Sequence, residues 1–138
     1  MSASTAGFVA RYALAYFASV FSVGFLLGIA RTLWLAPVLG ERGAELVELP
    51  VMVVVSFLVA RALMNGPDVV GIRDAALVGL SALALLVCAE LAVVVFVRGQ
   101  TVAGYVASRD PVSGSAYVLA LLLFAAMPAA ICHRRTLR

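Results

Sequence analysis

The sequence predicts an all-α integral membrane protein, a four-helix transmembrane bundle with N- and C-termini cytoplasmic, and three observations predict it. Of the 138 residues, 64% are hydrophobic and only 12% charged, against about 25% charged in an ordinary soluble domain. The mean hydropathy is +1.12. The apolar residues gather into four runs, each near the ~20 residues that cross a hydrocarbon core as a helix. A water-soluble fold of this size could not cover so much apolar side chain with so little polar surface, so the lipid bilayer is the expected solvent. The length allows a single transmembrane domain, residues 1–138.

The first run covers about residues 8–35 and carries no charge from Tyr12 through Ala30. That stretch outlasts the ~7–15 apolar residues of a signal peptide, and Trp34, Leu35 and Pro37 follow in place of a small-residue cleavage site. It reads as a retained helix, with residues 1–5 as a frayed tail and Trp34 as an interfacial belt residue. The second run, about 43–64, holds Glu45, Glu48 and Pro50. Its longest uncharged stretch, 49–60, leaves a re-entrant hairpin as an alternative to a full span. Asn65-Gly66-Pro67-Asp68 is a turn signal, and Asp74 is placed to cap the third helix. The third run, about 74–97, contains Glu90. The fourth, about 112–132, is uncharged and contains Pro128, which is expected to bend it. Between the last two, residues 98–115 leave room for a short interfacial helix with Val102, Tyr105 and Val106 on one side.

Orientation follows from the arginines, which supply all the basic charge since there is no lysine. With four spans, Arg11, Arg61, Arg73, Arg134, Arg135 and Arg138 fall on one side, and Arg31, Arg42, Arg98 and Arg109 on the other. The positive-inside bias, with Arg134 and Arg135 as anchors after the last span, puts both termini in the cytoplasm. Arginine-only basicity and small size fit a bacterial cytoplasmic (inner) membrane. Scattered arginines at helix ends do not form the clustered basic face of a nucleic-acid binder, so no nucleic-acid partner is expected.

Charges inside apolar runs are the informative exceptions, because an acidic or basic residue at a helix centre costs roughly 2.5–3.5 kcal/mol in lipid. Glu41, Glu45 and Glu48 fall within about 60° of one another on a helix, with Ser56 continuing near that stripe. Three carboxylates on one stripe repel, and call for a cation, an arginine or water. Arg31 lies at similar depth and shares a face with Gly24 and Gly28, a small-xxx-small pattern that lets a second helix approach. Glu90 shares a stripe with Ala75 and Gly79. Three helices thus aim charge at one depth: Arg31, then Glu45 and Glu48, then Glu90. One arginine against these carboxylates leaves surplus negative charge, to be met by protonation or by a bound cation.

Two functions are compatible with that pattern. One is a small proton- or cation-coupled transporter or channel subunit using Glu48 and Glu90 balanced by Arg31. The other is an accessory or structural subunit whose buried charges and small-residue stripes mediate packing within a homo-oligomer or against a larger membrane partner. In that case Glu41 and Arg42 are solvated loop residues, and Arg31 with Glu48 or Glu90 is a structural pair. No cofactor is expected. The chain has no Walker loop, dinucleotide fingerprint or zinc-protease motif. The single histidine, His133, is expected across the membrane from the glutamates. Enzymatic activity is therefore disfavoured, with Glu48 and Glu90 as the acid/base pair it would use. Cys88 and Cys132 lack metal or redox spacing, lie at different depths, and read as unbridged buried apolar residues.

Overall fold

The computed structural model describes residues 2–66 and 71–138; Pro67 and Asp68 of the turn signal lie outside them. Helix α1 spans Ala3–Ala30 and continues through a π-helical turn, Arg31–Leu35. Helix α2 spans Ala36–Met64, α3 Ile72–Ala92 with a π-helical turn Val93–Val97, α4 Val102–Ser108, and α5 Pro111–Thr136. Among the described residues there is no strand. By length and apolar composition, three stretches can cross a membrane: Ala3–Met64, Ile72–Val97 and Pro111–Thr136.

The first of these is not one rod. A straight helix would separate residues 24 and 52 by about 42 Å, yet a methyl at Gly24 would lie 3.2 Å from the Met52 side chain. The fold-back is at Gly40, whose φ of +77° and ψ of 166° interrupt α2 internally. That left-handed φ is open to glycine at little cost. Residues 41–64 then run as continuous helix through Pro50, with no re-entrant hairpin.

Several details differ from the sequence reading. The N-terminus is not frayed through residue 5, because Ser2 caps α1 with its hydroxyl accepting the Thr5 N–H at 3.2 Å. The residue before α3 is Gly71, so Asp74 sits inside the first turn, where it complements the helix dipole instead of capping it. Cys132 is buried, but Cys88 is exposed. The packed stripe of α3 runs through Ala75, Val78, Gly79, Ala82 and Leu86. Cys88, two residues past Leu86, points nearly opposite.

Packing sets small residues against backbone. Ala75, Val78 and Ala82 are fully buried, and Gly79 is so close to α5 that a methyl there would overlap the Ala125 carbonyl. Across the bundle, the buried Tyr16 ring stacks on Phe124 with centroids 4.3 Å apart, and its hydroxyl donates to the Phe124 carbonyl oxygen at 2.7 Å. That carbonyl lies four residues before Pro128, which has no N–H to donate to it. Tyr16 supplies the missing donor. Large apolar side chains point outward instead, among them Leu26, Trp34, Phe96 and Leu119. An apolar exterior around inward charges is the arrangement lipid favours.

At one end, Arg135 donates to the carbonyls of Met64 and Gly66 at 2.8 and 3.3 Å, tying the last turns of α5 and α2 together. Arg134 stays exposed beside it. The Gly40 reversal, the π turns and α4 lie toward the other end, around a cavity.

Candidate functional site

The cavity has a volume of about 850 Å³ and opens between α1, α2, α3 and α5 beneath α4. Its wall follows from helical periodicity. Glu41, Glu45, Glu48, Met52 and Ser56 form one face of α2. Ser113, Tyr117, Ala120 and Phe124 form one face of α5, and Gly24, Gly28 and Arg31 one face of α1. Glu90 extends the packed stripe of α3 into the same space, one turn past Leu86.

Arg31 and Glu48 meet: Nη1 lies 3.1 Å from Oε2. The approach is off the hydrogen-bonding direction, which leaves that buried oxygen without a hydrogen-bond donor. Glu45 is 3.9 Å from the same guanidinium and only 3.3 Å from Arg109 Nη1, which donates to it. Glu90 is not paired with Arg31. It accepts a hydrogen bond from the Tyr117 hydroxyl, and among the described residues it has no ion pair. Of the small-residue stripes, Gly24 faces Met52, Gly28 opens onto the cavity, and Ala75 and Gly79 pack the far half of α3 away from the charges.

Three contributors were not singled out in the sequence. Arg109 reads there as an ordinary outer-side arginine, but its guanidinium lies over two rings, 5.0 Å from the Tyr117 centroid and 5.7 Å from Tyr105. The charge count therefore changes: Arg109 joins Arg31 in contact with Glu45 and Glu48, and Arg42 and Arg98 also line the cavity wall. Tyr117 is the second contributor. The third is Ser113, fully buried against the cavity and, among the described residues, with no hydrogen-bond partner for its hydroxyl.

The short helix anticipated in the third connection is α4, with Val102 and Val106 outward and Tyr105 toward the cavity. Its far end is latched. Glu41 and Arg42 are both exposed, but they lie in helix after Gly40 and not in a loop, and Arg42 Nε donates to both Asp110 carboxylate oxygens at 3.0 and 2.9 Å. Asp110 also caps α5, accepting the N–H groups of Val112 and Ser113. The Arg42 guanidinium, with the Ser113 N–H behind it, holds the Asp110 carboxyl down to about 2.

Leu49, Val53 and Ala120 line both this cavity and a shallower apolar groove of about 480 Å³ on the α2–α5 seam. Among the described residues, no three His, Cys, Asp or Glu side chains converge as a metal site would require. His133 is in the last turn of α5, at the opposite end. Compared with protein-family models, curated proteins and solved structures, the chain matches none.

Proposed function

We propose that this is a small multi-pass protein of a bacterial-type inner membrane, with four spans and both termini cytoplasmic, that carries a proton or another monovalent cation through the charged cavity as a transporter or channel subunit. One observation carries the reading: Glu90 projects into the cavity with a neutral tyrosine hydroxyl as its partner, while both neighbouring arginines are engaged by Glu45 and Glu48. Of the four arginines on the cavity wall, Arg31 and Arg109 are engaged by Glu48 and Glu45 and Arg42 by Asp110, and among the described residues none, Arg98 included, is ion-paired with Glu90. In lipid an uncompensated carboxylate is costly, and a proton or cation at Glu90 relieves the cost reversibly. The orientation rests on the arginine bias and on Arg134 and Arg135 at the end opposite the cavity. A second copy of the chain would complete a pathway that one small bundle leaves open at its mouth.

Flux in proteoliposomes tests it. Glu90→Gln is expected to abolish cation-driven flux, and Glu48→Gln to reduce it by releasing Arg31. Unchanged flux in Glu90→Gln rejects the mechanism.

The accessory-subunit reading is favoured by the Arg31–Glu48 pair and by the Gly79–Ala125 contact, both of which lock helices. It predicts that the exchanged pair, Arg31→Glu with Glu48→Arg, restores assembly lost in either single variant.

A further inference from the structure

The cavity already holds a cation of its own. Arg109 is seated on the faces of Tyr117 and Tyr105 with Glu45 at its edge, and an aromatic face beside a carboxylate is how proteins recognise cations poor in hydrogen-bonding hydrogens. The residue carrying that guanidinium is not part of a membrane rod. It follows the seven-residue α4 in extended conformation, φ −65° and ψ 134°, so its side chain is carried by a short connection and not by a packed helix. The buried Ser113 hydroxyl, without a partner among the described residues, is a polar contact in the same cavity that Arg109 leaves unfilled. Deeper in, the walls are apolar, with Phe21, Met52, Leu86 and Phe124, and the α2–α5 groove adjoins them. The volume is that of a small-molecule site.

We infer that the cavity binds a monovalent organic cation, an alkylated ammonium, which takes the place of the Arg109 guanidinium between Glu45 and Glu90 and over the rings of Tyr105 and Tyr117. Its apolar substituents lie against Phe21, Leu86 and Phe124. Arg109 is a tethered competitor that keeps the rings and Glu45 satisfied when no ligand is present. This inference rests on the cation-carrying reading above and names its cargo.

The test is equilibrium binding of tetraethylammonium to the full chain in dodecyl maltoside, read by titration calorimetry. Wild type is expected to bind, and Arg109→Gln to bind about tenfold tighter, because the competitor is gone. Arg98→Gln removes an equal charge from the cavity wall without touching the rings, and its affinity is expected to stay within about twofold of wild type. Tyr117→Leu is expected to weaken binding, and Tyr105→Leu serves if that variant does not fold. Absence of binding to both wild type and Arg109→Gln overturns the inference, as does an equal shift from the two arginine variants. The two proposals fail separately. Glu90-dependent proton flux without tetraethylammonium binding removes only the organic cargo. Binding with Glu90-independent flux removes only the transport mechanism.

Discussion

Tyr117 donates its hydroxyl to Glu90 while its ring carries the Arg109 guanidinium 5.0 Å from the centroid. One side chain therefore joins a carboxylate that has no ion pair among the described residues to an arginine that does, since Arg109 is held by Glu45. The chain Glu45, Arg109, Tyr117, Glu90 links α2 to α3 through Arg109, at the end of the connection that carries α4, and Tyr117 of α5.

Removing the hydroxyl should strand the carboxylate. A hydrogen bond to a charged group contributes roughly 1.5–3 kcal/mol, so Tyr117→Phe is expected to destabilise the folded protein by that order at neutral pH. In the Glu90→Gln background the same change should cost markedly less. A double-mutant cycle on thermal unfolding in detergent measures the coupling. Additive effects would mean that the two side chains do not interact.

The Tyr16–Phe124 bond makes a different prediction, because its acceptor exists only through Pro128. Tyr16→Phe leaves a buried carbonyl without a donor, a cost of ~1–3 kcal/mol. Pro128→Ala restores the intrahelical N–H four residues on and frees Phe124 from needing Tyr16. Tyr16→Phe is thus expected to be costly alone and nearly neutral with Pro128→Ala, as read by unfolding midpoints.

Some of this was legible in the sequence. A charge within an apolar run is visible because lipid makes it costly, so Arg31, Glu45, Glu48 and Glu90 stand out at once, and the four runs show which residues share a depth. Helical periodicity adds the stripes. Arg109 and Tyr117 carried no such signal. Arg109 sits in a polar connection where an arginine is ordinary, and its partner Glu45 is 64 residues away. Tyr117 looks like any aromatic in an apolar helix until α3 is placed beside it. Tyr16 and Pro128 were each visible, but the bond between Tyr16 and Phe124 spans 108 residues. The gap between the first two apolar runs, 36–42, was legible, and the structure puts the reversal inside it at Gly40, although the helical backbone otherwise continues through the gap. Which of Glu48 and Glu90 meets Arg31 is not legible in the sequence, because equal depth does not fix rotation about the helix axis. Arg31 faces α2 and Glu90 faces α5.

The two glycine stripes should respond oppositely to a methyl group. At Gly79 the methyl would meet the Ala125 carbonyl, which is backbone and cannot move without moving α5. At Gly24 it would meet the tip of Met52, which has rotamers to spare. Gly79→Ala is expected to lower stability by about 1–3 kcal/mol through overpacking, whereas Gly24→Ala is expected to stay near wild type. Thermal unfolding of the two purified variants decides it, and equal effects would contradict the packing described.

The latch between Arg42 and Asp110 has a pH window fixed by its direction. Asp110 is held at about 2, below the 3.8 of an unperturbed aspartate, mainly by the hydrogen bond from Arg42 and next by the Ser113 N–H. A carboxyl whose folded value is depressed stabilises the fold above its unfolded value, and loses that contribution as pH falls toward its folded value. The latch is therefore expected at full strength above about pH 4 and lost near pH 2. Asp110→Asn can still accept the Val112 and Ser113 N–H groups, so it isolates the ion pair from the helix cap. Wild type should melt higher than Asp110→Asn above pH 4, and the difference should vanish as pH approaches 2. Amide exchange across residues 101–109 gives a local reading, because losing Asp110 frees one end of the segment that carries Arg109. If exchange there is the same in both proteins at pH 6, Asp110 does not hold α4 over the cavity, and Arg109 reaches the tyrosine rings unaided.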